Sequence, residues 1–285
     1  MTLKLQALTD ALEKSGALQC DREFSKRVQA RLAQAAGHPD DPTVKYRASS
    51  IGKPWITQTL DKWYGGAKIF TVSQTMTMLQ GMLSQEYIAE LLNLMDYKFS
   101  QEVTVKYKTV MGHADIIVED DSEIIVLECK SMAPHLINPF IASPSDDYGY
   151  LSQLSFYWWC AAQANPSKKA SAAFVLYDRG NSRIKTVSIT PSAMQRKVER
   201  IQTAVDILSR IEPYDVDTLL REVVIPPTVD GKIMGGIART RWARLLYAPI
   251  ETGDGVVYRV QDLDVIAQQL KNMPQHRRDD EEVEF

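Results

Sequence analysis

Apolar and polar positions change period several times along this chain, and each change predicts an element. HADIIV and EIIVLEC are near-continuous apolar runs separated by the acidic, turn-prone EDDS, which predicts a β-hairpin whose strands are covered on both faces. Ahead of it, EVTVKYKTV alternates as a half-exposed strand does. Helical spacing recurs at Leu3, Leu5, Leu8, Ala11 and Leu12, and again at Phe24, Val28 and Leu32 before the breaker AAGHPDDP. Ser49 or Ser50 can cap an aromatic-bearing helix that ends at Gly65-Gly66, and Ser73 opens a long helix striped by Met78, Leu79, Met82, Leu83, Ile88, Leu91, Leu92 and Met95. Beyond the hairpin, SMAPHLINPFIASPSDD reads as a proline-rich loop containing His135, and Asp146 or Asp147 can cap the aromatic helix DYGYLSQLSFYWWCAAQAN. SAAFVLYD and IKTVSIT supply two further strands around RGNS, and Pro191 opens another helix. The fold class expected is α/β, a mixed central β-sheet flanked by helices.

Three ionisable residues interrupt the apolar hairpin: Asp115, Glu128 and Lys130. Glu128 and Lys130 lie two apart on a strand and share a face, while Leu127 and Cys129 point the other way. If Asp120 and Asp121 form the loop, Glu119 pairs with Ser122 and Asp115 falls opposite Val126, on the face of Glu128. A loop one residue longer or shorter would send Asp115 to the other face. Carboxylates in so apolar a setting are costly unless they bind a cation or a partner. Two oxygen donors suit Mg²⁺, with Mn²⁺ as a substitute, and an adjacent lysine can orient a water or steady charge on a phosphate.

Asp115, twelve intervening residues and then Glu128-Cys129-Lys130 resemble the D…(D/E)xK signature of the PD-(D/E)xK nuclease superfamily, with Ala114 in place of the proline that often precedes the first Asp. Gln153 to Tyr157, QLSFY, is similar to the QxxxY motif of the RecB-like and lambda-exonuclease-like branch, and Gly81 to Glu86 resembles the Gly…Glu/His element ahead of that branch's sheet. Together these cover residues 48–189 and imply a restriction-endonuclease-like core. They imply Asp115, Glu128 and the Cys129 backbone carbonyl as metal ligands, Lys130 at the attacking water, and Glu86 at a second ion, with Glu90 as its rival. Gln153 and Tyr157 would position DNA or the Lys130 amine. Arg47, Ser49, Ser50 and Lys53 sit in a stretch similar to the branch's S-S-x-G opening, where a phosphate can be gripped. The activity implied is a metal-dependent DNA exonuclease acting from duplex ends, 5′ to 3′, in recombination, repair or phage DNA processing. A structure-selective or site-specific endonuclease is the alternative, as is a catalytically silent DNA-binding or scaffold subunit.

Composition refines this picture. At 285 residues and 45% hydrophobic content the chain can bury one large core with decorations. The divisions expected are a helical arm over 1–46, the nuclease core over 47–211, an appended subdomain over 212–278 and an acidic tail over 279–285. Net charge is −3, but the tail holds five acids and no base, so the body without it carries +2. A body of that sign accommodates DNA through local patches such as Lys98/Lys106/Lys108, Lys168/Lys169, Arg196/Lys197/Arg200 and Arg239/Arg241/Arg244. Cys20, Cys129 and Cys160 have no metal-ligand spacing and lack the four-cysteine pattern of some relatives, so no iron-sulfur cluster is expected. Nothing reads as a signal peptide or membrane span, so a cytoplasmic protein is expected. The tail DDEEVEF resembles the docking tip of single-stranded-DNA-binding proteins. Candidate partners are DNA, further copies of the chain in a ring-like trimer by resemblance, and a single-strand annealing or single-stranded-DNA-binding protein.

Overall fold

The structure, a computed structural model, describes residues 4–14, 46–65, 72–144, 149–233, 235–238, 240–253 and 255–274. The expected helix around Phe24, Val28 and Leu32, the Asp146 or Asp147 cap, Cys20, Arg239 and the acidic tail lie outside the described residues.

In chain order the elements are α1 (Leu5–Lys14), β1 (Tyr46–Arg47), a 3₁₀ turn (Ala48–Ser50), α2 (Trp55–Tyr64) and α3 (Val72–Leu94). The hairpin strands follow as β2 (Phe99–Tyr107), β3 (Val110–Glu119) and β4 (Glu123–Met132), then α4 (Pro134–Ala142) and α5 (Tyr150–Ala164). β5 (Lys169–Asp178), β6 (Ile184–Ile189) and α6 (Pro191–Leu208) complete the central unit. The remainder is α7 (Val216–Glu222), α8 (Gly235–Ala238), α9 (Ala243–Leu246), β7 (Tyr247–Thr252), β8 (Gly255–Val260) and α10 (Leu263–Lys271).

Six strands form one mixed sheet in the order β1-β3-β4-β5-β6, with β2 paired to the other edge of β3. β2, β3 and β4 are antiparallel neighbours, β5 runs parallel to β4 through the α4–α5 crossover, and β6 returns antiparallel. Helices flank both faces, the fold class the pattern predicts. On one face α3 and α1 cover Ile116, Val118, Ile125 and Leu127; on the other, α5 and α6 cover Ile117, Ile124, Val126 and Phe174. Each side chain so buried contributes about 1.5–3 kcal/mol against exposure.

Several expectations are corrected. Glu119 pairs with Ile124, not Ser122, because the Asp120 carboxylate accepts hydrogen bonds from the Ser122 and Glu123 amides and stabilises a longer turn. The shift is by two residues, so faces are preserved. The stretch after Lys130 forms helix α4 rather than a loop, opened by Pro134 at a position where a missing N–H costs nothing. Ser49 and Ser50 lie in the 3₁₀ turn, and the following α-helix is preceded by Pro54, so neither serine caps it.

The ends also join the core. Leu8 and Leu12 of α1 are fully buried with Ile184 of β6, and Glu13 accepts hydrogen bonds from Thr186. Trp242, in the segment expected as an appended subdomain, packs against Tyr64 and donates through Nε1 to Asp61 Oδ1 at 2.8 Å.

Candidate functional site

The site lies where β3 changes partners. One edge of β3 pairs with β4 over Ile116–Glu119 and with β1 over Val110–Met111, so residues 112–115 face a gap between the two. Asp115 stands one step past the last registered β3–β4 pair, Ile116–Leu127, and therefore beside Glu128. There a side chain replaces the backbone ladder: Cys129 N donates to Asp115 Oδ2 at 2.7 Å.

Glu128 is fully buried. Its Oε1 accepts from the Lys130 ammonium, while among the described residues its Oε2 has no hydrogen-bond partner. Lys130 Nζ also donates to Gln153 Oε1 at 3.3 Å and sits 4.6 Å from the centre of the Tyr150 ring. Gln153 Nε2 in turn donates to Tyr157 OH at 3.1 Å. The i, i+4 spacing of α5 thus delivers a buried polar chain from Tyr157 through Gln153 to Lys130. Gly112 makes room for it, since a Cβ there would lie 2.8 Å from Tyr157 OH and 2.4 Å from Ala48 Cβ.

Burial, then the neighbouring Glu128 charge, pushes the Asp115 carboxyl well above its usual range, against the pull of Lys130 and the Cys129 amide. Burial raises Glu128 as well, opposed by Lys130. For Lys130, burial acts downward, but Glu128 and Asp115 outweigh it and hold the ammonium above the ordinary lysine range. Two buried acids beside a single ammonium thus resist carrying negative charge together.

A residue that sequence reasoning passed over adds to that charge. Glu102 falls between the registered pairs Gln101–Ile116 and Val103–Ala114 and so stands across from Asp115 on β2. Its negative charge acts on Asp115, Glu128 and Tyr157, and its Oε1 accepts from Gln85 Nε2 of α3. Glu102 has φ +49°, a left-handed conformation uncommon outside glycine and often found at functional sites. At this step both strands change face. Phe99 packs under α3 whereas Val103, Val105 and Tyr107 pack toward α5; Ile116 and Val118 go under α3 whereas Val110 and Ala114 go toward α5. Counting back from a two-residue turn at Lys108-Thr109 was the signal that could have found Glu102.

Glu86, expected at a second ion, is buried with both carboxylate oxygens 3.2 Å from Gln101 Nε2. Glu90 is buried on α3, where Asn93 Nδ2 donates to it at 3.3 Å. The Arg47–Lys53 segment is brought beside the site: Ala48 packs on Gly112, and the backbones of Gly52 and Gly149 meet so closely that a Cβ on Gly52 would lie 2.2 Å from Gly149 Cα. Gly149 precedes the first turn of α5, so the serine turn abuts the helix carrying Tyr150, Gln153 and Tyr157. Arg47, Ser49 and Lys53 are exposed and Ser50 is half-buried. His135 is exposed on α4.

Among the described residues, no three Asp, Glu, His or Cys side chains already converge as a metal cage. Mg²⁺ asks for less, one or two carboxylates with water and substrate oxygens completing its shell. Adjacent Asp115 and Glu128, with an unpartnered buried oxygen on the latter, fit that requirement.

No protein-family model matches the chain, and no curated protein matches it. Among solved structures, one described as SSO0001 is similar over 70% of this chain and 95% of its own, at 15% identity and a TM-score of 0.30. An alkaline exonuclease (LHK-Exo) from Laribacter hongkongensis is similar over 59% of this chain and 93% of its own, at 12% identity and a TM-score of 0.32. At these values the likeness is coarse, and any functional argument rests on the chain's own residues. Among the described residues, no helix is long and apolar enough to cross a membrane.

Proposed function

We propose that this chain is a Mg²⁺-dependent deoxyribonuclease that hydrolyses phosphodiester bonds from duplex ends. The observation that carries the reading is the fully buried Glu128, with one oxygen unpartnered, beside Asp115 and Lys130 at the break in the β3 ladder. Such a charge cluster is costly to bury and is explained by a task.

In this reading Asp115 and Glu128 hold Mg²⁺, with the Cys129 carbonyl as a further donor. The ion, when bound, supplies an activated water and stabilises charge on the phosphate. Lys130, held by Gln153 Oε1 and the Tyr150 face, orients that water or meets the developing negative charge. Its proton is held by the charges of Glu128 and Asp115, and a cation held there would offset those charges and ease release of that proton. Tyr157 fixes the Gln153 amide so that its oxygen faces Lys130. Arg47, Ser49, Ser50 and Lys53 grip a terminal phosphate beside α5.

The test is a Mg²⁺ digest of linear duplex, with and without a 5′-phosphate, alongside covalently closed circular duplex. Linear DNA is degraded, faster with the 5′-phosphate, and the circle survives. Nicking of the circle at a comparable rate would move the assignment to an endonuclease, and no cleavage with Mg²⁺ or Mn²⁺ would sink the enzymatic reading.

A further inference from the structure

The sheet face that α3 covers lies open at the end where the site is. Tyr46, Val103, Val105, Tyr107, Val110 and Ala114 pack toward α5, so the residues alternating with them on β1, β2 and β3 present the opposite face. These are Arg47, Thr104, Lys106, Met111 and His113. Arg47, Thr104 and Lys106 are exposed, and Met111 and His113 are half-buried. Further along β3, beneath α3, Ile116 and Val118 are buried.

The register sets these residues in rows that lead to the site. Met111 pairs with Arg47 on one side and Lys106 on the other, so a half-buried thioether lies between two cations, each one strand spacing of about 4.8 Å away. Two residues along β3, His113 pairs with Thr104, and Thr104 Oγ1 and His113 Nδ1 share a hydrogen bond at 3.2 Å. Two residues further stands Asp115, so the row of cations is roughly 13 Å from it along the strand.

Charge complementarity names the occupant. Phosphates are met by arginine, lysine and hydroxyl side chains, and a methionine between two cations offers an apolar floor to a sugar. A phosphate chain approaching Asp115 and Glu128 is repelled by them, and cations beside its path offset that repulsion. Of the basic patches expected from the sequence, Lys168 pairs with Glu119, Lys169 with Glu123 and Lys108 with Asp206. Lys106 stands in line with the site, level with the Arg47 that opens the phosphate-gripping segment.

We infer that the open face of β1, β2 and β3 is the surface on which DNA lies as it enters the site, with Lys106 and Arg47 on its phosphates and Met111 between them. The inference deepens the functional reading above and rests on it for DNA as the partner.

Fluorescence anisotropy of a labelled linear duplex, titrated with the full chain in EDTA over a series of salt concentrations, tests the surface. Lys106→Gln weakens binding by about tenfold near 0.1 M salt and reduces the slope of log K against log salt by about 0.9, the loss of one phosphate contact. Lys108→Gln removes the same charge two residues on, from a cation engaged by Asp206, and leaves the slope unchanged. An unchanged slope in Lys106→Gln overturns the inference, because no phosphate then meets this face. An equal fall in Lys108→Gln also overturns it, since general attraction to a positive body would account for both. A wild-type chain without affinity for the duplex overturns it as well. Binding is read without metal, so a chain that binds as described yet cuts no duplex with Mg²⁺ or Mn²⁺ sinks the enzymatic reading and leaves the DNA surface standing.

Discussion

Strand β4 carries two buried glutamates, one at its start and one just past its middle, and the two differ in how their charge is met. Glu123, at the start, is 5% exposed, and its Oε1 is 3.1 Å from Lys169 Nζ and 3.5 Å from Ser171 Oγ. Lys169 reaches it from a largely exposed position, so the pair has access to water. Glu128, in the same strand, is fully buried, and among the described residues only one of its oxygens is met. Burial alone is thus a poor marker of a functional acid. An unfinished hydrogen-bond inventory beside further acids is a better one, because buried polar groups are otherwise nearly always satisfied.

Exchanging each glutamate for its amide gives the largest expected contrast. Glu128→Gln lowers the initial rate of Mg²⁺-dependent digestion by more than about 100-fold, since it removes a ligand rather than an outer partner. Glu123→Gln leaves that rate unchanged and costs no more than about 1 kcal/mol of stability in chemical denaturation. Equal losses in both variants would show that β4 tolerates neither change for structural reasons, and the contrast would collapse.

The partners of the two acids should differ in the same sense, by less. Gln153→Ala, which removes one of the groups that hold Lys130, is expected to slow digestion by about 10–100-fold with circular dichroism unchanged. Ser171→Ala, beside Glu123, should leave the rate as it was. A Gln153→Ala enzyme at full rate would remove the α5 polar chain from the mechanism.

Melting curves read the same contrast through protons. Asp115 and Glu128 are raised in the folded state, so the folded chain holds their protons more tightly than the unfolded one. Their contribution to stability is fully present below the ordinary carboxylate range and is lost as pH rises through the raised values. A divalent cation needs these groups deprotonated, so its stabilising increment grows with pH, reaching about 2.7 kcal/mol at a hundred times Kd. Glu123→Gln keeps this pH-dependent increment and Glu128→Gln loses it. An increment that shrank as pH rose would place the cation elsewhere.

Much of this arrangement was legible in the sequence because apolar runs and turn chemistry are local signals. The hairpin, the shared face of Glu128 and Lys130, and the Gln153–Tyr157 pair on one helical face follow from periods of two and 3.6. What was not legible depends on contacts distant in sequence or on unusual backbone. The Asp120 side chain lengthened the turn, so Asp115 moved from Val126 to Glu128. Pro139 lies inside α4, where a prolyl ring argues for a loop. Glu102 sits in a strand that alternates regularly on paper, and only the face change at its positive φ turns it toward Asp115.

The hydrogen bond from Cys129 N to Asp115 Oδ2 makes one amide proton a spectroscopic reporter. Along the rest of the β3–β4 ladder, amides donate to carbonyls, whose charge does not change with conditions. The Cys129 amide instead donates to a group that titrates, and a proton or an ion on Asp115 draws electron density away from the acceptor. In a ¹⁵N–¹H spectrum its resonance therefore moves upfield when Asp115 is protonated or ligated, while the amides of Val126 and Leu127 stay in place. A single cross-peak thereby follows the occupancy of the site in the intact protein, with no substrate present.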